Sequence, residues 1–232
     1  MYDQPLFLRT LSRFAETPPA RYDLETVLSE LTESITAVFG LCGSGLTMAD
    51  VGRLRLVPGL TDAAYELERD HALHPCPSRD AYTTGEVVRV TDVRGEFARW
   101  PEFSATGRRL GVAGVAGIPM RLAEQTIGSL NLYSTEPREW SDQDIAVASV
   151  LADVATSYVV NASKVRQREQ LSSQLQHALD SRCVIEQAKG MTAQRKAVTV
   201  EQAYQGMRRH ARNNNASLRV VAEAIVAVGL RV

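Results

Sequence analysis

Lysine is absent from the first 163 of the chain's 232 residues. That absence excludes a lysine-based ATP site from the front of the protein. No run approaches the ~18 uninterrupted apolar residues of a bilayer-crossing helix, and the N-terminus lacks the charged start, apolar core and cleavage site of a signal peptide. The three cysteines, Cys42, Cys76 and Cys183, are widely separated and odd in number, which is typical of reduced thiols. These absences predict a cytoplasmic protein with no membrane partner.

Motifs of catalysis are missing as well. The triplet "GSG" (43–45) lacks the rest of a nucleophile elbow or a phosphate-binding loop, and "GVAGVAG" (111–117) predicts a Gly/Ala strand rather than a phosphate cradle. The chain carries no histidine-kinase signature, and no spacing brings two carboxylates together. We therefore expect no catalytic residues and no enzymatic activity.

Charge is divided unevenly along the chain, although the total is only −1. Residues 1–162 contain 14 arginines against 22 acidic residues, a net charge of −8. Residues 163–232 contain 12 basic residues against 5 acidic ones, a net charge of +7. An acidic front and a basic back indicate a polyanionic partner for the back.

The front of the chain alternates predicted helices with predicted strands. Apolar residues recur at helical spacing through 24–38 and end at Gly40, and residues 61–72 also suit a helix. Residues 43–59 predict two short strands around a turn, and residues 115–135 an antiparallel hairpin. Helices at both ends of mostly antiparallel strands predict an α+β sandwich.

A long helix is predicted next, because no glycine or proline interrupts residues 141–189. Residues spaced alternately four and three apart along this helix form an apolar seam, which is clear as far as Val165 and weaker beyond it. This heptad spacing predicts a two-chain coiled coil and hence a homodimer. The same spacing in the first half equally fits a helix that covers the front domain's sheet. The predicted dimer seam consists of Leu151, Val154, Tyr158, Asn161 and Val165.

Two further helices follow and complete a predicted three-helix bundle with the end of the long helix. "TVEQ" (199–202) is a capping box, and Met207 and Tyr204 then fall on an apolar face while the arginines of "MRRHAR" cluster near the opposite pole. The third helix begins near Ser217, with apolar residues at helical spacing.

The tail segment resembles the ANTAR domain, through "IEQAKG" (185–190), "EQAY" (201–204), "RRHAR" (208–212), Asn215 and "LRVVAEAIV" (218–226). The resemblance implies an RNA-binding output module that binds paired RNA hairpins with small exposed loops, usually as a dimer. Such binding would prevent a terminator from forming in a nascent leader transcript.

The front resembles a GAF domain, a small-molecule sensor fold, through "HPCPSRDAYTTGEVVRVTDV", "FSATGRRLGVAGVAGIPM" and "IGSLNLYS". A GAF domain joined by a helix to an ANTAR domain is an arrangement of actinobacterial antitermination regulators. We expect an N-terminal segment at 1–20, an α+β GAF domain with a central antiparallel sheet and flanking helices at 21–160, a long connecting helix at 141–182 and an all-α ANTAR bundle at 170–232.

Basic side chains of the tail are the candidate RNA ligands, because splayed bases can stack on guanidinium planes and loop phosphates attract cations. A solvated helix face is the alternative explanation for such a charge run. Asparagine amides are candidates for reading base edges. The predicted set is Lys189, Arg208, Arg209, Arg212, Asn215 and Arg219, with Arg182 and Asn214 as secondary candidates.

"HALHPCP" (71–77) is the one cluster of metal-type residues, with His71, His74 and Cys76 close in sequence. Since no second cluster stands at ligand spacing, we predict no metal and identify no cofactor. We expect these three residues at the rim of a sensor pocket for an unknown small molecule. Cys76 fits either a buried apolar position or a reactive thiol.

The predicted function is therefore an RNA-binding antitermination regulator that responds to a small molecule or to an upstream signalling protein. A DNA-binding transcription factor with a GAF sensor is one alternative, since a basic three-helix unit can also enter the major groove. A protein–protein signalling module is the other.

Overall fold

The computed structural model describes residues 2–16, 23–50, 53–56, 62–69 and 74–232. The chain divides into two compact units, residues 1–164 and 165–232. The helices are α1 (Gln4–Glu16), α2 (Leu24–Phe39), α3 (Asp62–Glu68), α4 (Pro77–Thr84), α5 (Pro101–Leu110), α6 (Asp142–Lys196), α7 (Val200–Asn213) and α8 (Leu218–Val228). The strands are β1 (Gly43–Asp50), β2 (Arg53–Leu56), β3 (Val88–Val90), β4 (Gly114–Leu122) and β5 (Gln125–Ser134).

The first unit is built on a five-stranded antiparallel sheet with the order β2-β1-β5-β4-β3. The hairpin predicted over 115–135 is confirmed as β4 and β5, in which Ile118 pairs with Leu130. The two short strands predicted over 43–59 are confirmed as β1 and β2, with Thr47 opposite Leu56. The α+β class predicted for this unit is therefore correct.

The sheet carries helices on both faces. Successive side chains of a strand point to opposite sides, so one strand contributes residues to the packing on each face. On one face, Ile118 of β4 and Leu130 of β5 pack in a core with α1, α2 and α6. On the other face, Val115 of β4 and Tyr133 of β5 belong to a second cluster with residues of α3, α4 and α5. Two separate cores thus share one sheet.

Helix α1 belongs to the first core, although the sequence pattern sets residues 1–20 apart from the sensor domain. Phe14 of α1 is 4% exposed and packs edge-on against the ring of Tyr158, with the ring centroids 6.1 Å apart. The Tyr158 hydroxyl donates a 2.6 Å hydrogen bond to the Phe14 carbonyl. The N-terminal helix is therefore fastened to α6.

The first half of the predicted dimer seam lies inside the chain's own core. Leu151 is 0% and Tyr158 6% exposed, and both pack in the cluster that contains α1 and α2. The prediction that these two residues face a partner helix is wrong, because helical periodicity shows that a face is buried but not what covers it. Val154, Asn161 and Val165 keep partly exposed side chains and remain a prediction.

Farther along α6, three leucines are largely exposed. Leu171, Leu175 and Leu179 are 56%, 57% and 62% exposed and recur at intervals of four residues. They form one apolar stripe on the helix. We call these three residues the leucine stripe.

Helix α6 also contains a window that is long and apolar enough to cross a membrane by length and composition, and half of that window is buried. The core helix of a soluble domain passes the same test. Burial of Leu151, Ala152 and Ala155 against the sheet accounts for the apolar character of this region.

The second unit is the predicted bundle of the α6 end with α7 and α8. Its core contains Ala188 of α6, Met207 of α7 and Ile225 of α8, none of which is exposed. Helix α6 ends at Ala197, which has a left-handed φ of 53°. Helix α8 begins at Ser217, whose hydroxyl accepts a hydrogen bond from the Val220 amide.

Two leucines of α6 should respond differently to truncation, since Leu151 is buried and Leu175 is exposed. Leu151→Ala should lower the free energy of unfolding of the first unit by about 2–5 kcal/mol, whereas Leu175→Ala should change it by less than about 0.5 kcal/mol. Both tryptophans, Trp100 and Trp140, lie in the first unit, so denaturation followed by tryptophan fluorescence reports on that unit. Equal losses in the two variants would contradict the burial of Leu151.

Candidate functional site

Three arginines of α7 form the most exposed cationic surface of the predicted RNA set. The capping box at Thr199 and Gln202 fixes the start of α7, and Ala203, Met207 and Ala211 are its buried residues. Arg208, Arg209 and Arg212 therefore point away from the core and are exposed. We call these three residues the arginine ridge.

None of the three guanidinium groups forms an ion pair with a residue that the structure describes. Arg212 Nε donates a 3.4 Å hydrogen bond to the Arg208 carbonyl, and the Arg208 guanidinium lies 5.8 Å from the centre of the Tyr204 ring. Arg209 has no hydrogen bond or ion pair with any described residue. The ridge is thus free to contact a polyanion.

Lys189 has local partners instead. Its ammonium group donates 2.9 Å hydrogen bonds to both carboxylate oxygens of Glu186 and lies 5.1 Å from the Tyr204 ring centre. The lysine side chain is only 16% exposed. The structure brings Lys189 and Arg208 together at the Tyr204 ring.

Arg219 is bound within the bundle. Its Nε donates a 2.7 Å hydrogen bond to Glu223, and its Nη1 lies 3.1 Å from Ser181 Oγ and 3.2 Å from His177 Nδ1. These contacts fasten the start of α8 to α6. As an RNA ligand, Arg219 would have to leave them.

The asparagines after α7 contribute to ending the helix. Asn214 donates a 2.8 Å hydrogen bond from Nδ2 to the His210 carbonyl. Asn215 adopts a left-handed φ of 49°, and the next amide, of Ala216, bonds back to the Ala211 carbonyl at 2.9 Å. Asparagine tolerates this conformation better than most residues, so the helix end alone explains Asn215. Arg182, the other secondary candidate, is exposed on α6.

Tyr204 is a candidate that sequence reasoning missed, since its helical position places it beside the apolar face. The structure leaves it partly exposed and outside the bundle's core cluster. The available signal was the spacing of four residues between Tyr204 and Arg208, which brings an aromatic ring and a cation together on one helix.

In the first unit, two of the three predicted pocket residues line a common cavity. His74 and Cys76 border a space of about 40 Å³ together with residues of α3 and α5, including Glu66 and Phe103. That volume holds about one water molecule. His71 lies outside the described residues. Across the parts of the chain that the structure describes, no three His, Cys, Asp or Glu side chains group as metal ligands.

Cys76 is buried beside a carboxyl group. Its thiol lies 3.3 Å from Ser78 Oγ, which in turn donates to Glu68 at 3.4 Å. Two effects raise the pKa of Cys76 to about 12: burial is the larger, and the negative charge of Glu68 is the next largest. Burial also raises the pKa of Glu68 well above its ordinary value, against the effect of the Ser78 hydrogen bond.

A row of buried polar side chains continues across the same region of the sheet. Thr47 of β1 and Ser129 of β5 are hydroxyl neighbours at 2.7 Å, and Ser129 donates to Asn131 Oδ1 at 3.1 Å. Asn131 Nδ2 and the Tyr133 hydroxyl are buried without a hydrogen-bond partner. Buried polar groups of this kind are characteristic of a site that recognises a polar molecule or holds ordered water.

The fold combines an antiparallel sheet between helices with a long helix that leads to a basic three-helix bundle. The model of the GAF domain family matches residues 23–158 and that of the ANTAR domain matches residues 173–226. The chain belongs to the GAF domain family and carries a C-terminal ANTAR domain.

Solved GAF-type structures share the fold at low identity. A domain of a putative two-component sensor histidine kinase from Sinorhizobium meliloti matches with a TM-score of 0.53 at 17% identity, covering 64% of this chain and 99% of that one. The GAF domain of a phosphoenolpyruvate-protein phosphotransferase from Coxiella burnetii matches with a TM-score of 0.53 at 15% identity, covering 70% and 95%. The free methionine-R-sulfoxide reductase of Neisseria meningitidis matches with a TM-score of 0.52 at 16% identity, covering 69% and 89%. No curated protein matches the chain.

Native-state alkylation should separate the cysteines and decide between the two interpretations of Cys76. At neutral pH its raised pKa keeps the thiol protonated, and the thiolate is the reactive form. Iodoacetamide should therefore modify the exposed Cys183 first and leave Cys76 unmodified, as measured by peptide mass spectrometry. As a control, unfolding in guanidinium should make all three cysteines reactive. If iodoacetamide modifies Cys76 and Cys183 at equal rates in the folded protein, Cys76 is instead a reactive thiol.

Proposed function

We propose that this protein binds hairpins in nascent leader transcripts, prevents transcription termination, and is controlled by a small molecule or partner protein at its GAF domain. ANTAR domains are RNA-binding antiterminator modules and GAF domains are sensors. The observation that carries the proposal is the arginine ridge on α7, which lies inside an ANTAR domain, is exposed and forms no ion pair with any residue in the described ranges. We assign the protein no catalytic activity and place it in the cytoplasm, where it would meet nascent transcripts.

The ridge has the chemistry that an RNA hairpin requires. A guanidinium group can bind two phosphate oxygens at once and can also stack on an unpaired base. Double-stranded A-form RNA hides its base edges in a deep groove, so loop nucleotides carry most of the recognisable chemistry. Exposed arginines on the surface of one helix suit such a loop.

The DNA-binding alternative has less support. A helix that reads the major groove needs several side chains that reach base edges. The α8 sequence contains one basic residue, Arg219, and its guanidinium is already bound to Glu223 and Ser181.

We also propose that two copies pair through the leucine stripe of α6. The stripe is apolar and exposed. Arg219 of α8 contacts α6 at His177 and Ser181. These two residues come two positions after Leu175 and Leu179. Two residues correspond to about 200° around a helix. A second copy on the stripe would therefore leave the packing of α8 on α6 intact.

Neutralising two arginines of the ridge should weaken RNA binding and its salt dependence. A library of RNA stem-loops with randomised loops, selected on the full-length protein, supplies the probe. Arg208→Gln with Arg209→Gln should lower the affinity by about tenfold or more and reduce the log–log salt slope by about 1.5, because two phosphate contacts are lost.

The matched control is Arg108→Gln with Arg109→Gln, the same dipeptide on α5 of the first unit, which should leave both quantities unchanged. Competition with duplex DNA of equal length tests the DNA-binding alternative directly. If the library yields no binder, or if duplex DNA competes as well as the selected hairpin, the proposed function is wrong.

Charges on the leucine stripe should dissociate the dimer. Leu175→Glu with Leu179→Glu places like charges in the apolar contact, and sedimentation equilibrium should show a lower-mass species at concentrations where the unsubstituted chain is dimeric. Leu122→Glu, at a leucine that is 45% exposed on β4, is the control and should not change the mass. A chain that is monomeric before substitution would refute pairing through the stripe.

A further inference from the structure

Tyr204 lies where two helices bring cations to one aromatic ring. Lys189 comes from α6 and lies 5.1 Å from the ring centre, and Arg208 comes from the next turn of α7 and lies 5.8 Å away. Glu186 fixes the lysine through two hydrogen bonds. The arrangement thus combines one partly exposed ring, one immobilised cation and one exposed cation.

Packing does not explain a tyrosine at this position. Ala203, Met207 and Ala211 are the buried residues of α7, and Tyr204 is not among the residues that pack against the core of the bundle. Its hydroxyl also makes no hydrogen bond with any described residue. The ring therefore contributes an accessible aromatic surface beside the arginine ridge.

The two cations differ in mobility. Lys189 is 16% exposed and bound to a carboxylate, so its position is fixed. Arg208 is exposed, and its guanidinium contacts only the Tyr204 ring among the described side chains. Rotation of that one side chain would uncover the ring or lay the guanidinium plane over a base placed on it.

We infer that Tyr204, Lys189 and Arg208 form a subsite for one unpaired base of the RNA loop together with its phosphate. The base stacks on the Tyr204 ring, and Arg208 covers the base or binds the adjoining phosphate. Lys189, whose charge is paired with Glu186, lies against the ring and holds it in place. A purine gives the larger stacking overlap and is the preferred occupant. This inference rests on the proposed function and names the part of the RNA that this site takes.

The neighbouring polar candidates are less suited to hold a base. Asn215 is explained by its left-handed backbone conformation, and Asn214 bonds to the chain through its amide. Stacking on an aromatic ring is available to every base, because each base has a flat π face. The subsite thus adds recognition of a loop base to the salt-dependent affinity of the arginine ridge, with which it shares Arg208.

The test places 2-aminopurine at each loop position of the hairpin selected from the randomised library. With the full-length protein, one position should show fluorescence quenching on binding. Tyr204→Leu should abolish that quenching and lower the affinity by roughly tenfold, with an unchanged salt slope because no cation is lost. Tyr204→Phe should retain both the quenching and the affinity to within about twofold, since the ring remains.

Tyr65→Leu is the matched control, at a tyrosine of α3 that is 52% exposed, and it should bind like the unsubstituted chain. If Tyr204→Leu is folded by circular dichroism and still quenches the same position, the subsite is refuted while RNA binding stands. If Tyr204→Phe loses affinity as Tyr204→Leu does, stacking is refuted as well. Failure of the unsubstituted chain to bind any hairpin would refute the proposed function itself.

Discussion

Helix α6 is a core element of both compact units, and its burial in each is the constraint on which the rest of the structure depends. In the first unit Leu151, Ala152 and Ala155 are at most 1% exposed and close the core over the sheet. In the second unit Ala188 is fully buried against α7 and α8. Between these sites the exposed leucine stripe lacks a covering element among the described residues. The rest of this middle stretch is exposed and largely polar, so the leucine stripe is the feature of the helix that supports the proposed pairing of two copies.

The distribution of acids decides which arginines are available to a ligand. In the first unit, ion pairs hold Arg89, Arg94, Arg99 and Arg109 to Asp142, Asp92, Asp80 and Glu66. The last 70 residues contain only five acids, and Glu186 and Glu223 are bound to Lys189 and Arg219. Glu201 accepts a hydrogen bond from Gln205 and Asp180 one from Gln176, so no described carboxylate pairs with the arginine ridge, and its positive field extends into solvent.

Local pattern predicted most of the elements, although not the helices α1 and α4, and it did not predict the partners of the elements. Alternation and turn residues predicted the β4–β5 hairpin, and the Thr199–Gln202 capping box predicted the start of α7, because both signals are contained in a few consecutive residues. The burial of Leu151 and the contacts of Arg219 depend on residues far away in the chain, which a helical period does not identify. Tyr204 was missed for the same reason: its spacing fits the apolar face, while the cations around its ring come from two helices.

Control by the sensor requires a ligand that stabilises one state of the chain more than another. Asn131 Nδ2 and the Tyr133 hydroxyl are buried without a protein partner, and an unsatisfied buried polar group costs about 1–3 kcal/mol. A polar ligand that completes these hydrogen bonds would therefore gain a binding free energy of this size. Typical allosteric coupling free energies are of the same order, about 1–3 kcal/mol. Both residues lie on β5, whose opposite face, through Leu130 and Leu132, packs in the core that contains α6. A shift of this one strand would act directly on the core that holds the helix.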